Sequence, residues 1–188
     1  MGTGERLIEA AAELLDAGGE AAVTLRAVAK AVGVSHNAPY RHFADRSELL
    51  AGVAEQDLRK FTASFNEIES SNRPPIDKVM AVLTAFVTFG EAHPARYRLL
   101  FSDPEIASRG GALEAAAMET FAIFARMVRS AQESGHLPEL ETPTLTSLIY
   151  ATVHGLLDFK AGGRMKTEKG LSEVMEGVTL MLDLIARK

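Results

Sequence analysis

Residues 33–50 read GVSHNAPYRHFADRSELL, and this segment gives the clearest indication of the fold. The segment before it, LRAVAKAV (25–32), carries apolar residues at helical spacing, with Thr24 placed to cap its start and Gly33 placed to end it. A second short helix is predicted to begin at Ser35. Two short helices joined by a tight, glycine-containing turn form a helix-turn-helix unit.

Pro39 falls inside the second predicted helix, although proline in a helix interior costs about 3 kcal/mol. If Ser35 or His36 caps this helix, Pro39 occupies its fourth or third position, where the backbone N–H groups lack acceptors within the helix. We therefore predict that Pro39 marks the beginning of the helix and that His36 and Asn37 point outward.

The outward residues have the chemistry needed to contact DNA, because the second helix of such a unit meets base edges with its N-terminal residues. Asn37 can form a bidentate pair with adenine, worth about 1–3 kcal/mol of discrimination. Tyr40 is equally compatible with the surface and the core, whereas Phe43 is expected in the core. The predicted DNA-binding residues are Thr24, Arg26, Ser35, His36, Asn37, Tyr40, Arg41, His42 and Arg46.

The distribution of charge supports this interpretation better than the total does. The 188 residues have a formal net charge of −5, but the window from Arg26 to Arg46 holds four basic residues and one acid, a local charge of +3. The chain has no cysteine, which excludes disulfides and thiolate zinc sites and favours a cytoplasmic location. No stretch approaches the roughly 18 apolar residues of a membrane span, so no membrane partner is expected.

The remainder of the chain shows helical spacing, and no useful length alternates with the period of two typical of a strand. We therefore predict an all-α fold of nine helices. The first helix carries Leu7, Ala11, Leu14 and Leu15 on one face and ends at Gly18-Gly19. The helix-turn-helix unit supplies the next two, and six more are expected near residues 46–68, 76–91, 94–101, 111–134, 143–160 and 170–186.

Residues 24–50, TLRAVAKAVGVSHNAPYRHFADRSELL, resemble the DNA-binding domain of the TetR family of transcriptional regulators. Arg46 stands where a lysine is usual, which keeps the charge for a phosphate contact, and Pro39 replaces an aliphatic residue. The family pattern is a helix-opening Thr, an Ile/Val-Ala pair, an Ala-Gly-Val-Ser turn, and a Tyr followed by an aromatic pair. It is carried here by Thr24, Val28-Ala29, residues 32–35, Tyr40 and His42-Phe43.

The resemblance implies an N-terminal DNA-binding domain of three helices over residues 1–46 and a ligand-binding and dimerisation domain over residues 47–188. It implies repression as the default, with activation as the alternative. The segment YATVHG (150–155) also resembles a C-terminal subgroup named for its Trp, His and Gly, with Tyr150 in place of the Trp.

Large, adaptable side chains recur on the C-terminal helices. Such residues lie more often in a core than in a ligand site, but pockets between bundle helices are common. Because no charge cluster is available there, we expect a mostly apolar pocket and a small hydrophobic effector. His154 is alternatively a structural histidine. The candidate ligand-binding residues are Phe86, Phe89, Tyr97, Met118, Phe121, Tyr150 and His154.

The last two helices carry apolar faces wider than one neighbouring helix would cover, and a two-fold four-helix bundle would bury them. Two heads held about 34–36 Å apart, or a multiple of that distance, would read a palindromic operator in double-stranded DNA. We therefore expect a homodimer, which a Leu182→Glu change should convert to monomers with an intact N-terminal fold. The expected interface residues are Leu148, Thr152, Gly155, Leu156, Val178 and Leu182.

Two other classes of protein compete with this interpretation. The five histidines lack metal-ligand spacing such as H-E-x-x-H, and no G-x-S-x-G, P-loop or G-x-G-x-x-G motif occurs, so no catalytic residue, metal or cofactor is expected. A helical adaptor could use the same unit to contact protein, but the +3 window and the outward His36 and Asn37 argue against it.

Overall fold

The structure, a computed structural model, describes residues 2–186. Over those residues it has nine α-helices and no strand, which confirms the predicted all-α class and helix number. The helices are α1 (Thr3–Gly18), α2 (Leu25–Val32), α3 (Arg46–Ser70), α4 (Pro75–Ala92), α5 (Pro94–Ser102), α6 (Pro104–Ala107), α7 (Gly111–Glu133), α8 (Thr142–Ala161) and α9 (Val174–Ala186).

The ends of α2 lie where the sequence predicts them. Thr24 Oγ1 accepts a 3.0 Å hydrogen bond from the Ala27 N–H at the start of the helix. Gly33 follows the last turn in the left-handed conformation, with φ of 74°, which glycine adopts without the strain that a Cβ atom brings.

The segment after Ser35 is not the α-helix that we predicted. Residues 36–38 form a turn, and Pro39–Arg41 form a short 3₁₀ segment whose capping position is Ala38. Because Pro39 has no N–H to bond the carbonyl of Ser35, that carbonyl accepts from the Ala38 N–H instead, at 2.9 Å. Pro39 does begin the segment, but the Ser35 cap is wrong, and α6 completes the nine helices instead.

Contacts between residues divide the chain into two compact units. The first unit contains the residues up to Phe61 together with His93–Met118, and the second contains Thr62–Ala92 together with the residues from Glu119 onward. These units do not test the expected boundary between functional domains after residue 46, which stays a prediction.

In the first unit, α1 packs against α2 and α5 around a core of aliphatic side chains. In the second unit, α4, α8 and α9 pack together. A Cβ atom built on Gly177 of α9 would lie 3.0 Å from the δ-carbons of Leu156, so this glycine allows the close approach of α8 and α9. Among the described residues, no helix is both long and apolar enough to cross a membrane.

Candidate DNA-binding and effector sites

The segment between α2 and α3 presents most of the predicted DNA-binding residues to solvent. Pro39 and Phe43 are buried beneath it, as expected for Phe43. The side chain of Tyr40 is 61% exposed, which settles its position in favour of the surface. The other exposed residues of the predicted set are Thr24, Arg26, Ser35, His36, Asn37, Arg41 and His42.

Contacts from α1 and α3 hold this segment in place. Arg6 Nη2 donates a 2.9 Å hydrogen bond to the carbonyl of Val32 at the end of α2. At the start of α3, the Ala44 N–H donates to Glu48 Oε2 at 2.5 Å, and the Glu48 N–H donates to Asp45 Oδ1 at 2.8 Å. The pattern Asp-x-x-Glu at residues 45–48 is a capping signal that the sequence reading did not use.

The exposed surface of this segment has cationic and hydrogen-bonding groups, and Arg26, His36 and Tyr40 line a concavity on it. Arg41 and Lys30 are also exposed. Arginine and lysine at such positions neutralise phosphates, while short polar side chains read base edges. The geometry therefore suits a DNA duplex with its phosphates flanking His36 and Asn37.

Arg46 has a structural role that its charge alone did not reveal. Its Nε donates to the carbonyl of Val23 at 2.8 Å, and its Nη2 donates to the carbonyl of Glu20 at 2.6 Å. The same nitrogen lies 3.5 Å from the Glu20 carboxylate, and the side chain is 42% exposed. Arg46 thus ties the start of α3 to the segment before α2, and its phosphate contact stays a prediction.

Four of the seven candidate ligand-binding residues form an aromatic cluster in the second unit, and they come from α4, α7 and α8. The rings of Tyr150 and His154 have centroids 4.0 Å apart, and Phe86 meets His154 edge-on at 4.9 Å. Phe86 and Phe121 lie 6.0 and 6.3 Å from Tyr150. We call Phe86, Phe121, Tyr150 and His154 the aromatic cluster.

Burial keeps the aromatic cluster uncharged near pH 7. It lowers the pKa of His154 to about 4, because the imidazolium loses its hydration. Burial raises the pKa of Tyr150 to about 12, because the phenolate would also lose its hydration. His154 Nε2 is buried, while Tyr150 remains 36% exposed at the edge of the cluster.

The other three candidate ligand-binding residues are Tyr97, Met118 and Phe89. Tyr97 is buried in the first unit, where its ring lies 5.2 Å from that of Phe101. Met118 also belongs to the first unit and is 63% exposed. Phe89 is half-buried on α4. An effector contact for any of them stays a prediction.

The expected dimer interface needs a correction at two positions. Val178 and Leu182 are 0% and 4% exposed in the single chain, so their side chains are already covered and cannot face a second copy. The exposed leucines of α9 are instead Leu180 and Leu184, at 51% and 58%. The sequence did not distinguish them because α9 is apolar on more than one side.

The expected interface residues on α8 differ in their exposure to solvent. Leu148 is 57% exposed, and the space next to Gly155 is open to 4 Å. Thr152 and Leu156 are half-buried, and Leu156 packs against Gly177 within the same chain. The exposed apolar surface that remains for a partner combines Leu148 and Gly155 of α8 with Leu180 and Leu184 of α9.

An all-α chain that presents a polar and basic segment between α2 and α3 has the architecture of a helix-turn-helix DNA-binding protein. Residues 7–53 match the family described as "Bacterial regulatory proteins, tetR family". Residues 79–183 match the "Tetracyclin repressor-like, C-terminal domain". The chain belongs to the tetR family of transcriptional regulators, as its resemblance implied. The Trp-His-Gly subgroup and the absence of catalysis stay predictions.

Individual proteins are also similar to this chain. The nucleoid occlusion factor SlmA of Marinomonas sp. is 31% identical over 98 residues, which are 52% of this chain and 50% of SlmA. The chain thus spans about half the length of the curated relatives it matches. A Rhodococcus sp. RHA1 protein of unknown function superposes with a TM-score of 0.81 at 28% identity, over 100% of this chain and 95% of its own.

A third similar protein shares the fold at lower identity. The transcriptional regulator FadR of Bacillus subtilis, solved in complex with stearoyl-CoA, superposes with a TM-score of 0.74 at 14% identity. The superposition covers 97% of each chain.

Proposed function

We propose that this chain is a ligand-responsive repressor that binds a palindromic operator as a homodimer and releases it when a small hydrophobic effector binds. The observation that carries the proposal is the exposed segment between α2 and α3. It holds His36, Asn37 and Arg41 at the surface over the buried side chains of Pro39 and Phe43. Such a segment can enter the major groove without losing its own packing.

The aromatic cluster supports an apolar effector. Its four rings are uncharged near pH 7, since His154 titrates at about 4 and Tyr150 at about 12. An ionised group placed among them would lose hydration without gaining a countercharge. The complex of FadR with stearoyl-CoA shows that this fold accommodates a ligand with a long apolar chain.

Exposed leucines on α8 and α9 support the homodimer. Leu148, Leu180 and Leu184 are each more than half exposed in the single chain. Large apolar side chains concentrated on the last two helices indicate a surface that a partner covers. A second copy of this chain brings the same surface, so the contact closes with two-fold symmetry.

Release of DNA follows from linkage between the two ligands. If the effector prefers the conformation that binds DNA poorly, DNA must disfavour the effector by the same factor. An effector with equal affinity for both conformations would release nothing, however tightly it bound. The proposal therefore requires reciprocal effects of operator and effector.

Selection of bound sequences from a random DNA pool tests the proposal. We expect an inverted repeat, and the Asn37→Ala protein should select a repeat with a relaxed position in each half. A direct repeat, a single half-site or no enrichment would contradict the palindromic operator. Addition of medium- and long-chain apolar compounds to the operator complex then tests release, with a charged small molecule of similar size as the control.

A role in nucleoid occlusion is the second candidate, and the 31% identity with SlmA over half of the chain favours it. Mapping of bound sites over the chromosome separates the two functions. A repressor of particular genes should occupy a few sites next to promoters. An occlusion factor should occupy many dispersed sites, and its binding should not respond to the apolar compound that releases a repressor.

A further inference from the structure

Three backbone hydrogen bonds in the segment between α2 and α3 join residues three apart. The Ala38 N–H donates to the Ser35 carbonyl at 2.9 Å, and the Arg41 N–H donates to the Ala38 carbonyl at 3.2 Å. The His42 N–H donates to the Pro39 carbonyl at 2.9 Å. An α-helix would instead join residues four apart, so the segment winds more tightly than an α-helix.

Pro39 stands at the position that selects the tighter pattern. In an α-helix the carbonyl of Ser35 would accept a hydrogen bond from the N–H of residue 39, and proline has no N–H. The backbone of Ala38 is compatible with either pattern, because its φ of −61° and ψ of −41° are right-handed helical values. An N–H at position 39 would therefore offer the Ser35 carbonyl an α-helical donor.

The segment is anchored from its buried side. Pro39 and Phe43 are both buried, and the Phe43 N–H also donates to the Pro39 carbonyl at 2.9 Å. The proline ring fixes its own φ at about −65°. His36, Asn37 and Tyr40 are exposed on the outer side, so the backbone that carries them is constrained while their side chains can meet a partner.

The winding of the segment decides the direction in which the outer side chains point. A 3₁₀ pattern turns by about 120° per residue and an α-helix by about 100°. Between Asn37 and Tyr40, three residues on, the difference amounts to about 60°. A bidentate pair between asparagine and adenine requires two aligned hydrogen bonds, and a rotation of this size would remove it.

Arg26 of α2 adds a fixed reference for this direction. It lines a concavity together with His36 and Tyr40. The latter two residues lie on either side of Pro39 in the sequence, so the winding of the segment sets their positions relative to Arg26. Arginine and tyrosine side chains bind phosphates, and the same winding thus aligns the phosphate contacts with the residues that read bases.

We infer that Pro39 determines the base preference of the DNA-binding segment through the backbone, as a positioning residue. Because it gives the Ser35 carbonyl no α-helical donor, it keeps the segment tightly wound and sets the orientation in which His36 and Asn37 meet base edges. This inference rests on the operator binding proposed above and adds a buried residue that controls which bases are preferred.

Pro39→Ala and Pro39→Val test the inference. Both introduce an N–H at position 39, and valine keeps more of the apolar volume than alanine does. At the operator position where Asn37→Ala relaxes the base preference, each Pro39 variant should lower the wild-type preference by about tenfold. The slope of log K against log salt should not change, because the arginines that contact phosphates remain. Titration of the selected operator and its single-base variants at several salt concentrations measures both quantities.

The N–H introduced at position 39 also gives a readout that does not require DNA. In both variants it should donate to the carbonyl of Ser35, and a scalar coupling across this hydrogen bond, measured by NMR, detects the contact directly. Absence of the coupling in both variants would contradict the backbone mechanism. An altered base preference in Pro39→Ala alone would contradict it too, because lost volume would then be the cause.

Pro143→Ala is the matched control, because Pro143 is an exposed proline in the first turn of α8, in the second unit. It should leave base preference and salt dependence unchanged. A wild-type protein that selects no operator would contradict the proposed function itself. If the wild type selects an operator, Pro39 variants that keep every base preference, weaken binding to all sequences alike or unfold would contradict this inference and leave the proposed function standing.

Discussion

Arg96 of α5 and Asp57 of α3 form a buried ion pair in the first unit, with Arg96 Nε 2.9 Å from Asp57 Oδ2 and a second contact from Nη2 to Oδ1. The two residues are 8% and 2% exposed. Arg96 Nη1 also donates to Asp16 of α1 at 3.2 Å. One guanidinium therefore joins three helices.

This pair explains why a charged residue lies in the interior. Burial disfavours the guanidinium, but the hydrogen bonds and charges of Asp57 and Asp16 outweigh that cost and raise the pKa of Arg96. Residues 16, 57 and 96 are far apart in the sequence, so only the folded chain brings their side chains together.

Replacement of Arg96 by methionine should destabilise the protein strongly, because Asp57 would keep a buried charge without its main partner. We expect a loss of about 3 kcal/mol, at the low end for a broken buried pair, since Lys60 Nζ lies 3.9 Å from Asp57. Urea denaturation measures the change. Arg59→Met is the control, because Arg59 is 73% exposed in its pair with Glu55 and should cost about 1 kcal/mol or less.

Two kinds of DNA contact should respond differently to mutation. Asn37→Ala and His36→Ala should each reduce discrimination at defined operator positions, by about 1–3 kcal/mol. Arg41→Ala should weaken binding to all sequences alike and lower the slope of log K against log salt by about 1. Titration of the selected operator and its single-base variants at several salt concentrations measures both. Unchanged base discrimination in the Asn37 and His36 proteins would contradict the assignment.

Arg46→Ala should lower stability as well as any affinity for DNA. The side chain donates to the carbonyls of Val23 and Glu20, and the loss of these bonds at a half-exposed position should cost about 1–2 kcal/mol. Arg41→Ala, at an exposed position between α2 and α3, should change stability by no more than about 0.5 kcal/mol. Equal thermal stability of the two variants would mean that Arg46 acts on phosphates alone.

Stability should depend on pH through His154. Its pKa is about 4 in the folded chain and about 6.5 when unfolded, so between these values the unfolded state binds more protons. The stabilisation is therefore complete above pH 6.5 and is lost as the pH falls towards 4, by at most about 3 kcal/mol. The His154→Phe protein should lack this component. Parallel pH–stability curves for the two proteins would show that His154 does not titrate in this range.

Glutamate should act differently on the two leucine sets of the C-terminal helices. Leu148→Glu and Leu184→Glu change exposed side chains and should give folded monomers that lose operator binding. Leu182→Glu should instead unfold the second unit, because Leu182 is buried and an unpaired charge there costs several kcal/mol. Sedimentation and circular dichroism distinguish the outcomes. A folded Leu182→Glu monomer would restore the interface expected from the sequence alone.

Features that depend on neighbouring residues were predictable from the sequence. The Thr24 cap and the left-handed Gly33 define α2 through contacts within a few residues, and both lie where expected. The outward position of His36 and Asn37 follows from the turn that Gly33 begins. The family pattern extends through this same local segment, which is why it was recognisable from one chain.

Other features depended on contacts between distant residues. The sequence left the position of Tyr40 open, because a ring at that spacing suits either environment, and the folded chain buries Phe43 and exposes Tyr40. Likewise, α9 is apolar on more than one side, and periodicity alone did not show that Leu182 packs inward while Leu184 faces solvent.

Sequence patterns were thus enough to predict the all-α class, the position of the helix-turn-helix segment and the family of the chain. These properties rest on helical spacing, caps and turns, which act over a few residues. The packed structure was needed to show which apolar face is covered, which aromatic rings meet around His154, and that Arg96 pairs with Asp57. Those outcomes depend on contacts between residues far apart in the chain, and they exist only after the helices have packed.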